Sequence, residues 1–236
     1  MIVLRSFLSN LSVYAIIALG CILAVPLLLF PESVILKHIQ LVAKLSSSIS
    51  LRLAGIDLEI KGQDNIPKGA IIVASKHESL WETQFLLGFF DNVSIVLKKE
   101  LFYIPILGLN FKKAGYVFVD RNRGKYEALR FIKQAKKVIS KSRPVVIFPQ
   151  GSRITPGEKA PYKSGVAILY KYLKVPCVPV ALNSGKVWPR RKFFRYPGKI
   201  VVEFLDPIYD YQEDHEKFLL ILEEKIETAT KNLLSL

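Results

Sequence analysis

From Ser6 to Pro31 the chain carries no charged side chain, and residues 13–30, VYAIIALGCILAVPLLLF, are almost wholly apolar. Such a stretch must leave water, either for the protein core or for a bilayer. At about 1.5 Å per residue a helix of this length reaches across a ~30 Å hydrocarbon core. The run is too long for the core of a cleaved leader, and no small-residue cleavage site follows it. Gly20 and Pro26 leave room for a kinked or re-entrant helix. Arg5 precedes the run, whereas Lys37, Lys44, Arg52 and Lys61 follow it, so the positive-inside rule puts the C-terminal bulk in the cytoplasm. Ile35, Ile39, Val42, Leu45 and Ile49 then recur at helical spacing. They define an amphipathic helix over 34–54, lying on a bilayer surface or packed on the domain. Residues 1–56 therefore read as a membrane-anchoring helical segment.

The rest, 57–236, is long enough for one α/β domain with a full core. Short β-rich runs at 70–75, 93–98, 116–120, 144–149, 176–182 and 199–205 alternate with helical patterns at 80–90, 125–141 and 163–173. Buried apolar strands separated by helices predict a partly parallel, mixed sheet flanked by helices. A last helix over 213–234 places Leu219, Leu222, Ile226 and Leu233 on one face. The formal net charge of +14 suits nucleic acid, an anionic membrane or a phosphorylated substrate, and does not choose among them. Cys21 and Cys177 have no pairing or metal spacing, and no His, Cys or carboxylate cluster predicts a metal.

The stretch SKHESLWET, 75–83, ends a strand-like run with His77 and follows it with Glu82. On one helix, five residues advance about 500°, which would turn the two side chains about 140° apart. If His77 lies in the loop before the helix, the pair can meet. Imidazole titrates near neutrality and takes a proton from an alcohol, and a carboxylate on its other nitrogen fixes the tautomer. A structural alternative stands beside this. Ser79 and Glu82 also fit a capping box, in which Glu82 only bonds the Ser79 backbone. A nucleophilic Ser79 is a further option, but no G-x-S-x-G elbow surrounds it.

The chain resembles the glycerolipid acyltransferase family, and within it the bacterial 1-acyl-sn-glycerol-3-phosphate acyltransferases. The resemblance rests on four motifs in the family's order over 76–182. HESLWE supplies His77, with Glu82 where the family has Asp. KELFYIPILG supplies Lys99, Phe102, Pro105 and Gly108, followed by Arg121. FPQGSR supplies Phe148, Pro149, Gly151 and Arg153, with Gln150 in place of Glu and Ser152 in place of Thr. VPVAL, 178–182, is the short apolar run around a proline. Glu82 is one methylene longer than Asp and needs a different rotamer to reach the ring. Gln150 accepts a hydrogen bond but brings no charge.

What the resemblance implies is acyl transfer from acyl-CoA or acyl-carrier protein to the free hydroxyl of lysophosphatidic acid, giving phosphatidic acid. His77 is the expected general base and Glu82 its orienting partner. Lys99, Arg121, Gln150, Gly151, Ser152 and Arg153 are the expected substrate-binding residues, with backbone N–H groups around Gly151 as oxyanion donors. The thioester is a co-substrate, so no resident cofactor is expected, and the expected site is the inner membrane with the domain facing the cytoplasm. The segment KVWPRRKFFRYPGK, 186–199, interleaves cations and aromatics; beside a lipid substrate it suits a bilayer interface rather than nucleic acid. His38 and His215 lie far from the motifs and are expected to be structural. Two other readings stay open: the same fold acylating a different lysolipid, because of Gln150, and a lipid-binding protein that has lost catalysis.

Overall fold

The computed structural model describes residues 1–120, 125–211 and 213–235. The apolar N-terminal run folds as helix α1 (Ile2–Leu23), a 3-10 turn (Pro26–Leu29) and helix α2 (Glu32–Ala54). Proline cannot donate a backbone N–H and its ring crowds the preceding turn, so α1 stops short of Pro26. The chain then reverses. Ser9 Oγ donates to the Ser50 carbonyl at 2.9 Å, and His38 Nε2 meets the Gly20 carbonyl at 2.8 Å. These contacts make α1 and α2 an antiparallel hairpin. The helices approach closely at Gly20, where a Cβ would stand 2.6 Å from a Val42 methyl. The face of α1 turned inward carries Ser6, Ser9, Val13 and Gly20. Phe7, Leu11, Tyr14 and Leu19 point outward and are each more than half exposed.

Seven strands form one sheet: β1 (Ile56–Lys61), β2 (Ile72–Ser75), β3 (Ser94–Lys98), β4 (Val117–Val119), β5 (Val145–Ile147), β6 (Cys177–Leu182) and β7 (Gly198–Phe204). Their order is β1-β7-β6-β2-β5-β3-β4, with every neighbouring pair parallel except β6 and β7. The mixed α/β architecture agrees with the sequence pattern. Strand β1 is an addition. IDLEIK alternates apolar residues with Asp57, Glu59 and Lys61, so it reads as a half-exposed edge strand, which a search for buried apolar runs passes over.

Six further α-helices follow among the described residues: α3 (Trp81–Phe89), α4 (Leu107–Lys113), α5 (Lys125–Ile139), α6 (Gly165–Leu173), α7 (Ser184–Val187) and α8 (His215–Leu234). Strand alternation sends Val73, Val146, Val178, Val180 and Leu182 into a core shared with α2 and α3. Ile72, Ala74, Val145 and Ile147 enter a second core with α5, α6 and α8 on the other face. The hairpin is continuous with the body, because Ile35, Leu36 and Ala43 of α2 pack in one core with Trp81, Phe85 and Leu86. At the outer strand β4, the Gln134 side chain bonds both backbone groups of Phe118, each at 3.2 Å.

Candidate active site

Strands β2 and β5 are parallel neighbours, paired from Ile72 with Val145 to Ala74 with Ile147. Their following loops, 76–80 and 148–153, therefore leave the sheet side by side, at the carboxyl ends where open α/β sheets form crevices. That placement brings the first and third motifs together. The His77 ring stacks on Phe148 with centroids 3.9 Å apart, and the His77 backbone N–H donates to Gln150 Oε1 at 3.3 Å. Gly151 takes a left-handed φ of +70°, turning the chain back so that Ile154 N–H donates to the His77 carbonyl at 2.8 Å.

His77 does lie in the loop, and Glu82 reaches it: Nδ1 to Oε1 is 2.8 Å. Glu82 is fully buried and accepts five hydrogen bonds. Oε1 takes His77 Nδ1, the Glu78 N–H at 2.8 Å and the Ser79 N–H at 2.7 Å; Oε2 takes Ser184 Oγ at 2.8 Å and the Ser79 hydroxyl. Capping and orienting are thus one arrangement, not alternatives. The same carboxylate closes the start of α3 and holds the imidazole. Burial alone would raise the Glu82 pKa, but the bonds from His77 and Ser79 outweigh it and hold the group below the usual carboxylate value. An ionised Glu82 requires the proton on His77 Nδ1, which leaves Nε2 as the basic nitrogen toward the cleft. Ser79 is buried, and its Oγ donates to Glu82 while accepting from the Trp81 N–H at 3.1 Å, so its hydroxyl is already committed.

Glu78 contrasts with Glu82. It too is fully buried, yet among the described residues only the Gly185 N–H donates to it, at 2.9 Å, and its Oε1 has no partner there. Burial, with Glu82 close by, pushes its pKa up to about 8. Beneath the loop, buried Lys76 pairs with both oxygens of Glu227 on α8, at 2.7 and 2.6 Å.

His77 opens into a cleft of about 990 Å³. Ile39, Val42, Leu87, Leu107 and Phe111 line an apolar part between the hairpin, α3 and α4, and Lys98, Arg153, Lys163, Arg190 and Arg191 supply cations. Burial draws the Arg153 guanidinium below its ordinary value, with the Glu82 charge opposing, and Arg190 donates to the Arg153 carbonyl. Of the residues singled out from the sequence, Gly151, Ser152 and Arg153 line this cleft with His77. Gln150 instead stands behind the loop, buried, with its acceptor on the His77 backbone. The Gly151 N–H is taken by the Phe148 carbonyl at 2.9 Å, so it is not an open oxyanion donor. Lys99 lies in another depression, 3.4 Å from Asp120, and Arg121 falls outside the described residues. Lys98 ends β3 and lines the cleft, whereas Lys99 opens the 3-10 turn Lys99–Tyr103, so the change of backbone at the end of the strand parts the two lysines. Arg190 and Arg191, read from the sequence as part of the bilayer-interface segment 186–199, line the cleft instead, and Ser184 was not singled out; nothing local announces these places, because all three arrive from beyond β6. His38, expected to be structural, tethers the hairpin and also lines the cleft. Among the described residues no three His, Cys, Asp or Glu side chains gather as metal ligands.

The family model for acyltransferases matches residues 57–183, and the chain belongs to that family. It is 38% identical over 150 residues to the 1-acyl-sn-glycerol-3-phosphate acyltransferase of Pseudomonas aeruginosa, covering 64% of this chain and 58% of that protein. The Helicobacter pylori protein of the same name is 30% identical over 157 residues, 65% of each chain. The match thus spans somewhat more than half the length of these relatives. The crystal structure of the Thermotoga maritima 1-acyl-sn-glycerophosphate acyltransferase, PlsC, superimposes with a TM-score of 0.78 at 21% identity, over 100% of this chain and 99% of that one. That likeness establishes the fold.

Proposed function

We propose that the protein moves an acyl chain from a thioester, acyl-CoA or acyl-carrier protein, to the free hydroxyl of 1-acyl-glycerol-3-phosphate, giving phosphatidic acid. The observation that carries this reading is the His77–Glu82 contact of 2.8 Å, opening into a cleft with both cationic and apolar walls. His77 Nε2 takes the proton of the acceptor hydroxyl as its oxygen attacks the thioester carbonyl. The tetrahedral intermediate collapses, the C–S bond breaks, and the imidazolium returns its proton to the departing sulfur. Glu82 stays ionised throughout and stabilises the imidazolium. Arg153, with Arg190, Arg191 and Lys98, holds the acceptor phosphate, arginine by its bidentate fork. Ser152 and the loop backbone beyond Gly151 face the developing oxyanion. Gln150 supports the loop from behind, a task that needs an acceptor and no charge, so its departure from the family pattern does not demand a different lysolipid. Lys99 and Arg121 complete the substrate-binding set by resemblance.

The hairpin supports membrane attachment. α1 is long and apolar enough to cross a bilayer, with a mean hydropathy of 1.9, and its large apolar residues face outward. Because α2 returns along α1, residues 1–56 seat in one leaflet, with 57–236 as the catalytic domain on the cytoplasmic side of the inner membrane.

Purified protein given acyl-CoA and a panel of lysolipids should release free thiol, fastest with lysophosphatidic acid. His77→Ala should cut that rate by about 10²–10⁴-fold with the circular dichroism spectrum unchanged. Full turnover in the folded variant would refute the mechanism, and a different preferred acceptor would correct the substrate.

A further inference from the structure

A second concavity, about 640 Å³, lies beside the outer strand β4, between the 3-10 turn Lys99–Tyr103, the end of α4 and α5. Seven basic side chains line it, against one carboxylate among the described residues, Glu32. That carboxylate is committed to Lys141 and Arg143. No ion pair among the described residues engages Lys112, Lys113 or Lys137, and Arg130 reaches only Glu127, at 3.9 Å. Cations gathered without counter-charge repel one another and favour an anion between them. Aromatic surface accompanies the charge. Lys112 Nζ sits 5.6 Å from the centre of the Phe102 ring, and Tyr103 stands 68% exposed at the rim.

The depression backs onto the cleft. Three pairs of adjacent residues divide between them: Lys98 and Lys99, Val119 and Phe118, Phe131 and Arg130, the first of each lining the cleft. Lys99 from the depression and Asp120 from the cleft join across the shared wall at 3.4 Å. The acceptor phosphate already has cations in Arg153, Arg190 and Arg191, so the members of this second group other than Lys99 are left without a ligand in that reaction. A nucleotide thioester has two unlike ends, one bearing phosphates and a planar base, the other an aliphatic chain. The two concavities match them in that order.

We propose that the depression beside β4 is a nucleotide-phosphate site, which grips the phosphorylated end of an acyl-CoA donor while the cleft receives its acyl end; this rests on the acyltransferase reading. Recognition is by lysine and arginine on phosphate oxygens, with Tyr103 offering a face to the base.

The test uses the full chain in detergent and adenosine 3′,5′-bisphosphate as probe, followed by titration calorimetry. The wild type should bind, more weakly as salt rises. Lys112→Glu with Lys137→Glu should weaken binding about ten-fold or more. Lys133→Glu with Lys136→Glu makes the same charge change on exposed α5 positions outside the depression and should weaken it less than about two-fold. In turnover, the first double variant should lower the ratio of the rate with acyl-CoA to that with an acyl-N-acetylcysteamine thioester, which lacks the nucleotide. No probe binding, equal effects of the two double variants, or an unchanged ratio overturns the site. Loss confined to acyl-carrier-protein donors also overturns it, and makes the depression a face for an acidic protein. A wild type that releases no thiol from any donor refutes the acyltransferase reading instead, and the calorimetry still decides the site.

Discussion

The catalytic loop and the N-terminal hairpin bury opposite kinds of atoms. The loop draws a carboxylate fully inside and satisfies it with five donors. The hairpin turns Ser6, Ser9 and Gly20 inward and leaves Phe7, Leu11, Tyr14 and Leu19 outside. In the first, water is excluded so that one charge acts strongly at one ring nitrogen. In the second, small side chains let two helices pack closely and leave the large apolar side chains outside, as suits a hairpin seated in a bilayer. The difference shows which surroundings each region is built for.

The hardest blow to this contrast falls on the loop. Glu82→Gln keeps the shape but removes the charge, so Nδ1 loses its anionic acceptor and the imidazolium its partner. The rate of acyl transfer should drop about 10²-fold or more, measured as thiol release, with KM for the acceptor little changed. A near-normal rate would reduce Glu82 to a helix cap.

Glu78 sharpens the comparison from within the loop, because there burial comes without donors. Folded Glu78 keeps its proton up to about pH 8, whereas the unfolded chain releases it near the ordinary 4.5. Between those values the folded state binds the extra proton, so this residue's contribution to stability falls as pH rises. Glu78→Gln mimics the protonated form and should be more stable than wild type at pH 8, by on the order of a few kcal/mol. The advantage should vanish near pH 4. Thermal melts across that range decide it, and a pH-independent difference would show that Glu78 does not titrate as described.

In the hairpin, Gly20→Leu must push Val42 away. It should cost about 1–3 kcal/mol and weaken vesicle cosedimentation, as the helices splay. The smallest effects come from its two faces. Ser9→Ala removes a buried bond to Ser50 and should cost about 1 kcal/mol. Leu11→Asn on the outer face should change stability by less than about 0.5 kcal/mol while lowering vesicle partition. Swapped outcomes, with Leu11 costly and Ser9 neutral, would mean that α1 faces the other way.

Much of this was legible in the sequence, for reasons that differ by region. Six strands declared themselves because buried parallel strands are apolar on both faces. β1 did not, since an edge strand with alternate charges looks like a surface loop. The dyad was legible because its spacing is local, five residues across one loop. The motif order brought Arg153 to the same cleft, but spacing cannot say which of two adjacent lysines faces it, and that depends on where β3 gives way to the 3-10 turn. Arg190, Arg191 and Ser184 were out of reach, since their approach depends on how α7 packs on the loop.

Gln134, hydrogen-bonded to Phe118, acts as a counterfeit neighbour for β4. By filling both bonding positions of that residue it denies a second copy the template for appending its own backbone. Molecules held on a two-dimensional surface collide far more often than in free solution, and a sheet open to growth would there seed fibres. One amide therefore closes the β4 edge to strand addition, and leaves β1, with its alternate charges, as the sheet's other edge.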